Sequence, residues 1–591
     1  MTTHPPRRLV LLCALAAGIG LAAGGTAWLL IKLIAILTNV ALFHRWGTTL
    51  PNFSDLPLGP EVVLVAVGGA TLVTLLARWS PIIRGHGIPE AMEAVLTRRS
   101  RVSPRAAVAK PVSAAIAIGT GGPFGAEGPI IVTGGALGSL IGQVIHVSAS
   151  ERKILLASGA AAGMAATFGT PLAAVVLAIE LLLFEFSPRA FIPLVVSTAV
   201  AGGVHAVLFG NGPLFTVPPH HFAGLGQLPL FAGLGLACGL LAVVITRGLF
   251  TVEGAFRRLP VGEAWHPIIG AVVWASLGLL VPRALGVGYD VINDALANRL
   301  ALTTLAALAI GKLVIWWIAL ASGTSGGTLA PILIISSTFG AFTGEVLNRA
   351  FPGLGLSPSA FALVAMAATF GAAARAPFAA IIFLFELTRD YNAMLPLMLA
   401  TVLADLLTRT LVPHSIMTEK LARRGVMVPA AFHADPLRTT PVSQVMTRDV
   451  VTVPIGADAS SVASAVQRSG HSALPVVDDD GQLVGMVSAV DLIDAELDPS
   501  TPLSEIASND LVTVAPTDTL HTSLDLMVDE AVDHLPVVDR GRLVGICTRG
   551  DILQARIRLL DQEHPEHGWL RRRRPAGTPV NGDRPGSHVG A

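Results

Sequence analysis

Apolar residues in this chain come in long blocks. Leu9 to Leu30, Val62 to Ala77, Leu230 to Thr246 and, with one lysine inside it, Ala301 to Ala321 reach or approach the roughly 20 residues that cross a bilayer as a helix. Ile130 to Ile145 and Pro171 to Leu183 are shorter and bounded by Gly or Pro. Backbone can break at membrane depth only where protein or water satisfies it, so short interrupted helices point to a transport site. From about Val428 the apolar runs shorten, acidic residues rise, and strand-like segments alternate with helical ones. The pattern predicts an all-α polytopic membrane domain over residues 1–425, a linker over 426–440, an α/β part over 441–498 and 499–562, and a tail over 563–591.

Composition agrees: 52% of the 591 residues are hydrophobic, 14% are charged and the mean hydropathy is +0.65, which excludes an ordinary soluble enzyme. The first apolar run lacks a convincing cleavage site and exceeds a signal-peptide core, so it reads as a retained span. Arg7 and Arg8 ahead of it, with basic clusters at Arg98, Arg99, Arg101 and Arg105, at Arg257 and Arg258, and at Arg423 and Arg424, place the N-terminus and these loops on the cytoplasmic side of an inner or plasma membrane. Cys13, Cys238 and Cys547 are too few and scattered for a disulfide framework or a metal site. The net charge is zero, and no nucleic-acid partner is expected.

The membrane part is duplicated. Met164-Ala165-Ala166-Thr167-Phe168-Gly169 recurs at Met366 to Gly371, and each copy precedes a Pro-initiated apolar helix with a glutamate nine residues on, Pro171 to Glu180 and Pro377 to Glu386. Three Gly-rich breaks stand before helix starts: Gly85 to Pro89, Gly125 to Pro129 and Gly326 to Pro331. Orphan N–H groups and the positive dipole end at such starts attract anions. Between Lys312 and Glu345 there is no charge at all, so backbone dipoles would bind a small inorganic anion that must also leave. Glu127 is the one charged residue between Lys110 and Glu151. Charge at membrane depth costs on the order of 2.5 to 3.5 kcal/mol on insertion scales, which makes this carboxylate a functional-site candidate, and we take it as a gate.

These residues resemble the CLC chloride channels and proton-coupled chloride antiporters. The resemblance covers roughly residues 10 to 425 and rests on three signatures in order: Gly-His-Gly-Ile-Pro at 85–89, Gly-Ala-Glu-Gly-Pro at 125–129 and Gly-Gly-Thr-Leu-Ala-Pro at 326–331. It implies a homodimer with one anion pore per subunit, built from two inverted halves and embedded in lipid. It implies a gating role for Glu127, whose carboxylate competes with the anion and swings away when protonated. It implies an anion site around Gly85, His86, Gly128, Thr328, Leu329, Ala330 and Met417, with the amides of Thr328 and Leu329 on the central anion.

Departures from the family pattern bear on mechanism. His86 stands where serine or proline faces the anion, and a neutral imidazole could donate to it or turn away. Met417 stands at the usual inner tyrosine and Ala126 at the usual arginine. Leu181 stands at the internal proton-relay glutamate, next to Glu180, so the relay residue is absent from its usual place. Channel-like conduction is slightly favoured over proton-coupled exchange. A regulatory or receptor protein on a non-transporting form of the fold is the alternative of another class. Gly323-Thr324-Ser325-Gly326 also reads as a membrane serine-protease nucleophile, but no histidine lies between Ser325 and His414 to act as base, so no enzyme is expected. Tyr289 and Tyr391, the two tyrosines, fall in no pore motif.

A second duplication of about 60 residues lies in the tail: Leu474 to Asp478 and Leu483 to Asp491 match Leu535 to Asp539 and Leu543 to Asp551. It resembles a tandem pair of CBS domains on the cytoplasmic side. The resemblance puts Ser488, Asp491, Thr548 and Asp551 on an adenine nucleotide, the one bound cofactor considered. Ser or Thr followed by Asp three residues on is also a helix N-terminal capping pattern. Arg571 to Arg574 and the Pro/Gly-rich end should be a disordered, solvated tail.

Overall fold

The structure is a computed structural model and describes residues 6–145, 147–218, 225–426, 428, 437, 440–489, 491 and 500–563. The expected basic tail at Arg571 to Arg574 lies outside the described residues. The chain divides into two compact units, residues 3–432 and residues 433–591.

Among the described residues of the first unit, seven helices are long and apolar enough to cross a membrane. The predicted run Leu9 to Leu30 lies inside a single helix, Pro6–Phe43, of 38 residues. That exceeds a perpendicular span and calls for tilt. The other long runs lie within Pro60–Trp79, Leu228–Arg257 and Leu302–Ala321. The run expected from Ile130 starts three residues earlier, at Glu127, because a proline in the first turn costs no hydrogen bond.

The duplication is structural as well. Glu127–Val144 packs on Ala149–Phe168, and Leu329–Ala350 packs on Pro358–Ala374. Missing side chains allow the first contact. A Cβ at Gly134 would stand 2.1 Å from the Gly159 carbonyl oxygen, and one at Gly159 would stand 2.0 Å from that of Gly134. Close backbone approach of this kind is how small residues bind helices together in lipid. The repeated hexapeptide ends the first partner helix at an αL cap, Gly169 (φ 67°), while its second copy runs on to an αL cap at Arg375 (φ 57°). The offset between repeats grows from 202 to 206 residues there, because the second helix runs about one turn further past the shared hexapeptide before it is capped.

The two halves cap each other. Pro171–Ala178 and Pro377–Thr388 begin with proline and leave the next amides without intrahelical partners. Glu386 accepts hydrogen bonds from the amides of Leu172 and Ala173 at 3.0 and 2.7 Å, and Glu180 accepts one from Ala379 at 2.9 Å. Each glutamate therefore sits on the start of the other repeat's helix, a position its charge favours. The nine-residue spacing seen in both repeats is the reach of this reciprocal contact.

In the second unit, Val453–Pro454, Ala473–Val477 and Leu483–Ser488 form a sheet in that order, with the first pair parallel and the second antiparallel. His534–Asp539 pairs antiparallel with Arg542–Thr548. Leu474 opposes Val487 as Leu535 opposes Cys547, all four buried. The helices Ala459–Ser469 and Leu520–Asp529 are N-capped by Asp458 and Thr519. The repeat read from the sequence is thus one strand–turn–strand unit used twice.

Candidate functional site

The three Gly-rich breaks meet. Gly85 bridges to Ser325, and Gly125 bridges to Gly327, whose amide donates to the Gly125 carbonyl at 2.9 Å. Gly128 faces the first break so closely that a Cβ on it would lie 1.9 Å from the His86 carbonyl oxygen, and one on Gly87 would lie 2.3 Å from that of Gly128. Gly85 and Gly87 have φ of 111° and 101°, which side chains rarely adopt. The breaks supply the starts of Ile88–Thr97, Glu127–Val144 and Leu329–Ala350, so three helix N-termini surround one point.

Glu127 is the first residue of its helix and 1% exposed. Its carboxylate folds back into the space that Gly125 and Gly327 leave. A Cβ on Gly125 would meet Oε2 at 1.8 Å, and one on Gly327 at 2.7 Å. The Tyr289 hydroxyl donates to Oε1 at 2.7 Å, whereas Oε2 has no hydrogen-bond partner within normal geometry among the described residues. The gate candidate thus occupies the place that converging dipoles prepare for an anion.

His86 is fully buried and, among the described residues, neither of its ring nitrogens nor the buried Thr328 hydroxyl has a hydrogen-bond partner. Buried polar atoms without partners cost on the order of 1 to 3 kcal/mol each, and a desolvated anion would satisfy such donors. Thr328 is the N-cap of Leu329–Ala350, and Leu329 and Ala330 form its first turn. Gly85, His86, Gly128, Thr328, Leu329 and Ala330 are therefore brought together. Met417 is buried in a turn whose hydrogen bonds run to Ser415 and, through Ile416, to Ala373, and none of them reaches the breaks.

Two buried lysines fix the loops. Lys110 donates to the carbonyls of Ile83 and Gly85 at 2.7 and 2.8 Å, and Lys312 to those of Ala284 and Gly286 at 2.9 and 2.8 Å. Neither ammonium is hydrogen-bonded to Glu127 among the described residues. Sequence reasoning missed Tyr289 and both lysines. The signal was the repeat, which at an offset of 201 residues places Gly286-Val287-Gly288 on Gly85-His86-Gly87.

Leu181 is buried beside Glu180, and both line a cavity of about 700 Å³ with Arg375, Arg409, His414 and Thr418. Glu180 thus faces an open space as well as the Ala379 amide. A second cavity of about 420 Å³ is lined by Gly85, Arg84, Lys420, Arg423 and Arg424. The rival nucleophile Ser325 lies 3.0 Å from the Ser113 hydroxyl, a partner that cannot act as a base.

In the second unit the two candidate nucleotide pairs are alike. Asp491 accepts from the Ser488 amide and hydroxyl at 2.7 and 2.8 Å, and Asp551 from those of Thr548 at 2.9 and 2.8 Å. These are capping contacts, completed by the Asp491 and Asp551 amides, which donate to the Ser488 and Thr548 hydroxyls at 3.2 Å each.

Comparisons with known proteins agree with this geometry. Residues 63–409 match the family described as voltage gated chloride channel, and residues 442–498 and 503–558 each match the CBS domain. The chain is 30% identical to the H(+)/Cl(-) exchange transporter ClcA of Vibrio campbellii over 63% of its own length and 81% of that protein. It is 28% identical to a putative chloride channel protein, ClcB-like, of Ralstonia nicotianae over 61% and 85%. The crystal structure of a slow cyanobacterial Cl⁻/H⁺ antiporter matches with a TM-score of 0.63 and 26% identity, covering 72% of this chain and 99% of that one. With its fold, its three convergent breaks and these relatives, the chain belongs to the CLC family of voltage gated chloride channels and transporters, as a multi-pass membrane protein with a tandem pair of CBS domains.

Proposed function

We propose that this protein carries chloride across an inner or plasma membrane by proton-coupled exchange, with Glu127 as the gate. The observation that carries the reading is the Glu127 carboxylate lying in the Gly125–Gly327 cradle, where an anion would have to displace it. Protonation removes the charge that competes for the site, so one group can couple proton and anion movement. Exchange is also what the names of the ClcA relative and the cyanobacterial structure describe. Glu180, facing the larger cavity, is the candidate for the proton's inner stop, since Leu181 carries no proton.

Channel-like conduction is the second reading, favoured by Leu181 at the internal proton-relay position and Met417 at the inner tyrosine position that the resemblance implies. In both readings the protein works as a homodimer in lipid, the N-terminus and the CBS pair face the cytoplasm, and the pair is open to regulation by an adenine nucleotide at Ser488, Asp491, Thr548 and Asp551.

Chloride efflux from proteoliposomes, with proton movement followed by a pH electrode and the membrane potential clamped by a potassium ionophore, separates the two. Uphill proton uptake driven by the chloride gradient establishes exchange. Chloride flux without proton movement establishes a channel. Glu127→Gln should remove the pH dependence of flux, and an unchanged pH profile would exclude Glu127 as the gate.

A further inference from the structure

The pseudo-symmetry assigns a partner to the gate. Lys110 and Lys312 hold equivalent loops through equivalent carbonyls, Ile83 and Gly85 in one repeat and Ala284 and Gly286 in the other. Each loop ends in a glycine at positive φ, Gly87 at 101° and Gly288 at 80°, and the next residue begins a helix. That residue is Ile88 in the first repeat and Tyr289 in the second. An offset of 202 residues, one more than the 201 of that pair and equal to that of Lys110 and Lys312, pairs Glu127 with Leu329, each the first residue of its helix. The chain thus places a hydroxyl and a carboxylate where the symmetry-related positions carry two apolar side chains.

Tyr289 is held on several sides. Its ring packs edge-on against Phe168 and Phe215, with centroids 6.3 and 6.0 Å away. The Lys312 ammonium lies by Gly288, 3.7 Å from where a Cβ would stand. One turn on, Arg283 bridges Asp290 and Asp294 at 2.8 and 2.6 Å. A side chain fixed in this way meets its acceptor already oriented, so its hydrogen bond to an ionised group is of the strong kind.

We propose that Tyr289 is the latch of the gate: its hydroxyl, positioned by Lys312 through the Gly286–Gly288 loop, holds the Glu127 carboxylate in the anion position and sets how readily chloride displaces it. The latch rests on Glu127 being the gate. It makes Tyr289 a positioning residue that acts through Glu127 and breaks no bond.

The test uses the full-length protein in proteoliposomes and compares wild type, Tyr289→Phe, Glu127→Gln and the double variant. Phenylalanine keeps the ring packing, and a single monodisperse peak on size exclusion reports folding. A hydrogen bond to a charged group is worth roughly tenfold or more in an equilibrium. Tyr289→Phe should therefore raise flux at neutral pH, and lower the chloride concentration giving half-maximal flux, by about tenfold. In the Glu127→Gln background it should change neither quantity. Wild-type flux and half-saturation in Tyr289→Phe, with Glu127→Gln still abolishing the pH dependence, would overturn the latch and leave the gate standing. An unchanged pH profile in Glu127→Gln would overturn the gate and the latch with it. An equal effect of Tyr289→Phe in both backgrounds would overturn the latch, because the tyrosine would then act on the anion without Glu127. If Tyr289→Phe does not give the folded peak, Tyr289→Leu, which also removes the hydroxyl while filling part of the ring's space, takes its place, with the same direction of change expected and the same outcomes decisive.

Discussion

Adding a single methyl group at Gly125 should evict the gate. Gly125 is not at positive φ, so alanine fits its backbone, but the new Cβ would lie 1.8 Å from Glu127 Oε2 and 2.5 Å from its Cδ. Those distances are far inside van der Waals contact, and the flexible partner is the carboxylate. Moving it forfeits the Tyr289 bond of 2.7 Å, which for a charged acceptor is about 1.5 to 3 kcal/mol. At 1.4 kcal/mol per factor of ten, the closed position is depopulated by about tenfold to a hundredfold. Chloride efflux from proteoliposomes at neutral pH should rise towards that of Glu127→Gln and lose most of its pH dependence. The reasoning is refuted by wild-type flux and pH profile in folded Gly125→Ala. It is also refuted if Gly125→Ala blocks flux even when combined with Glu127→Gln, since the methyl would then be closing the pore itself.

Three further outcomes follow from the contacts. Glu386→Ala removes two amide acceptors and Glu180→Ala one, so thermal unfolding in detergent should show both destabilised, Glu386→Ala the more, by about 1 to 2 kcal/mol; equal melting temperatures would contradict the cap assignment. Burial pushes the Cys547 thiol up to about 12, so the reactive thiolate is scarce at mildly alkaline pH, rises only as pH approaches that value, and is released on unfolding; iodoacetamide with peptide mapping should leave Cys547 unmodified in the native protein and label it in denaturant. Ser488→Ala and Thr548→Ala each remove a capping hydroxyl and should destabilise the CBS unit by about 1 kcal/mol even without nucleotide, checked by limited proteolysis; a loss seen only with nucleotide present would make these residues ligands first.

Much of this was legible in the residues because the governing physics is local. Long apolar runs marked the spans, and the Gly/Pro breaks marked the site, since a bilayer leaves the backbone few other options. The boundaries that differed, the helix start at Glu127 and the 38-residue first helix, depend on a permissive proline and on tilt, which hydropathy does not record. Tyr289 was hidden for another reason. It lies 162 residues from Glu127, and the Gly-x-Gly before it marks a repeated loop without saying what the next side chain touches, so its role exists only after the two halves fold together. Lys110 and Lys312 were visible as lone charges in apolar helices, but their acceptors are loop carbonyls, which any sequence supplies.

The crossed glutamates have a consequence for ancestry. Each half carries the residue that finishes the other half's helix, so neither is complete alone, and the contact is of the same kind in both directions, with two amides on Glu386 and one on Glu180. Two separate half-length chains inserted in opposite orientations would exchange the same pair of carboxylates across their seam. The peptide link between the halves is therefore not needed for this contact, and fusing two such chains into one gene would keep it intact. The fusion lets the copies diverge. One could then keep a glutamate and the other a leucine at positions 127 and 329, while 88 and 289 became isoleucine and tyrosine, a division of labour that an identical pair could never encode.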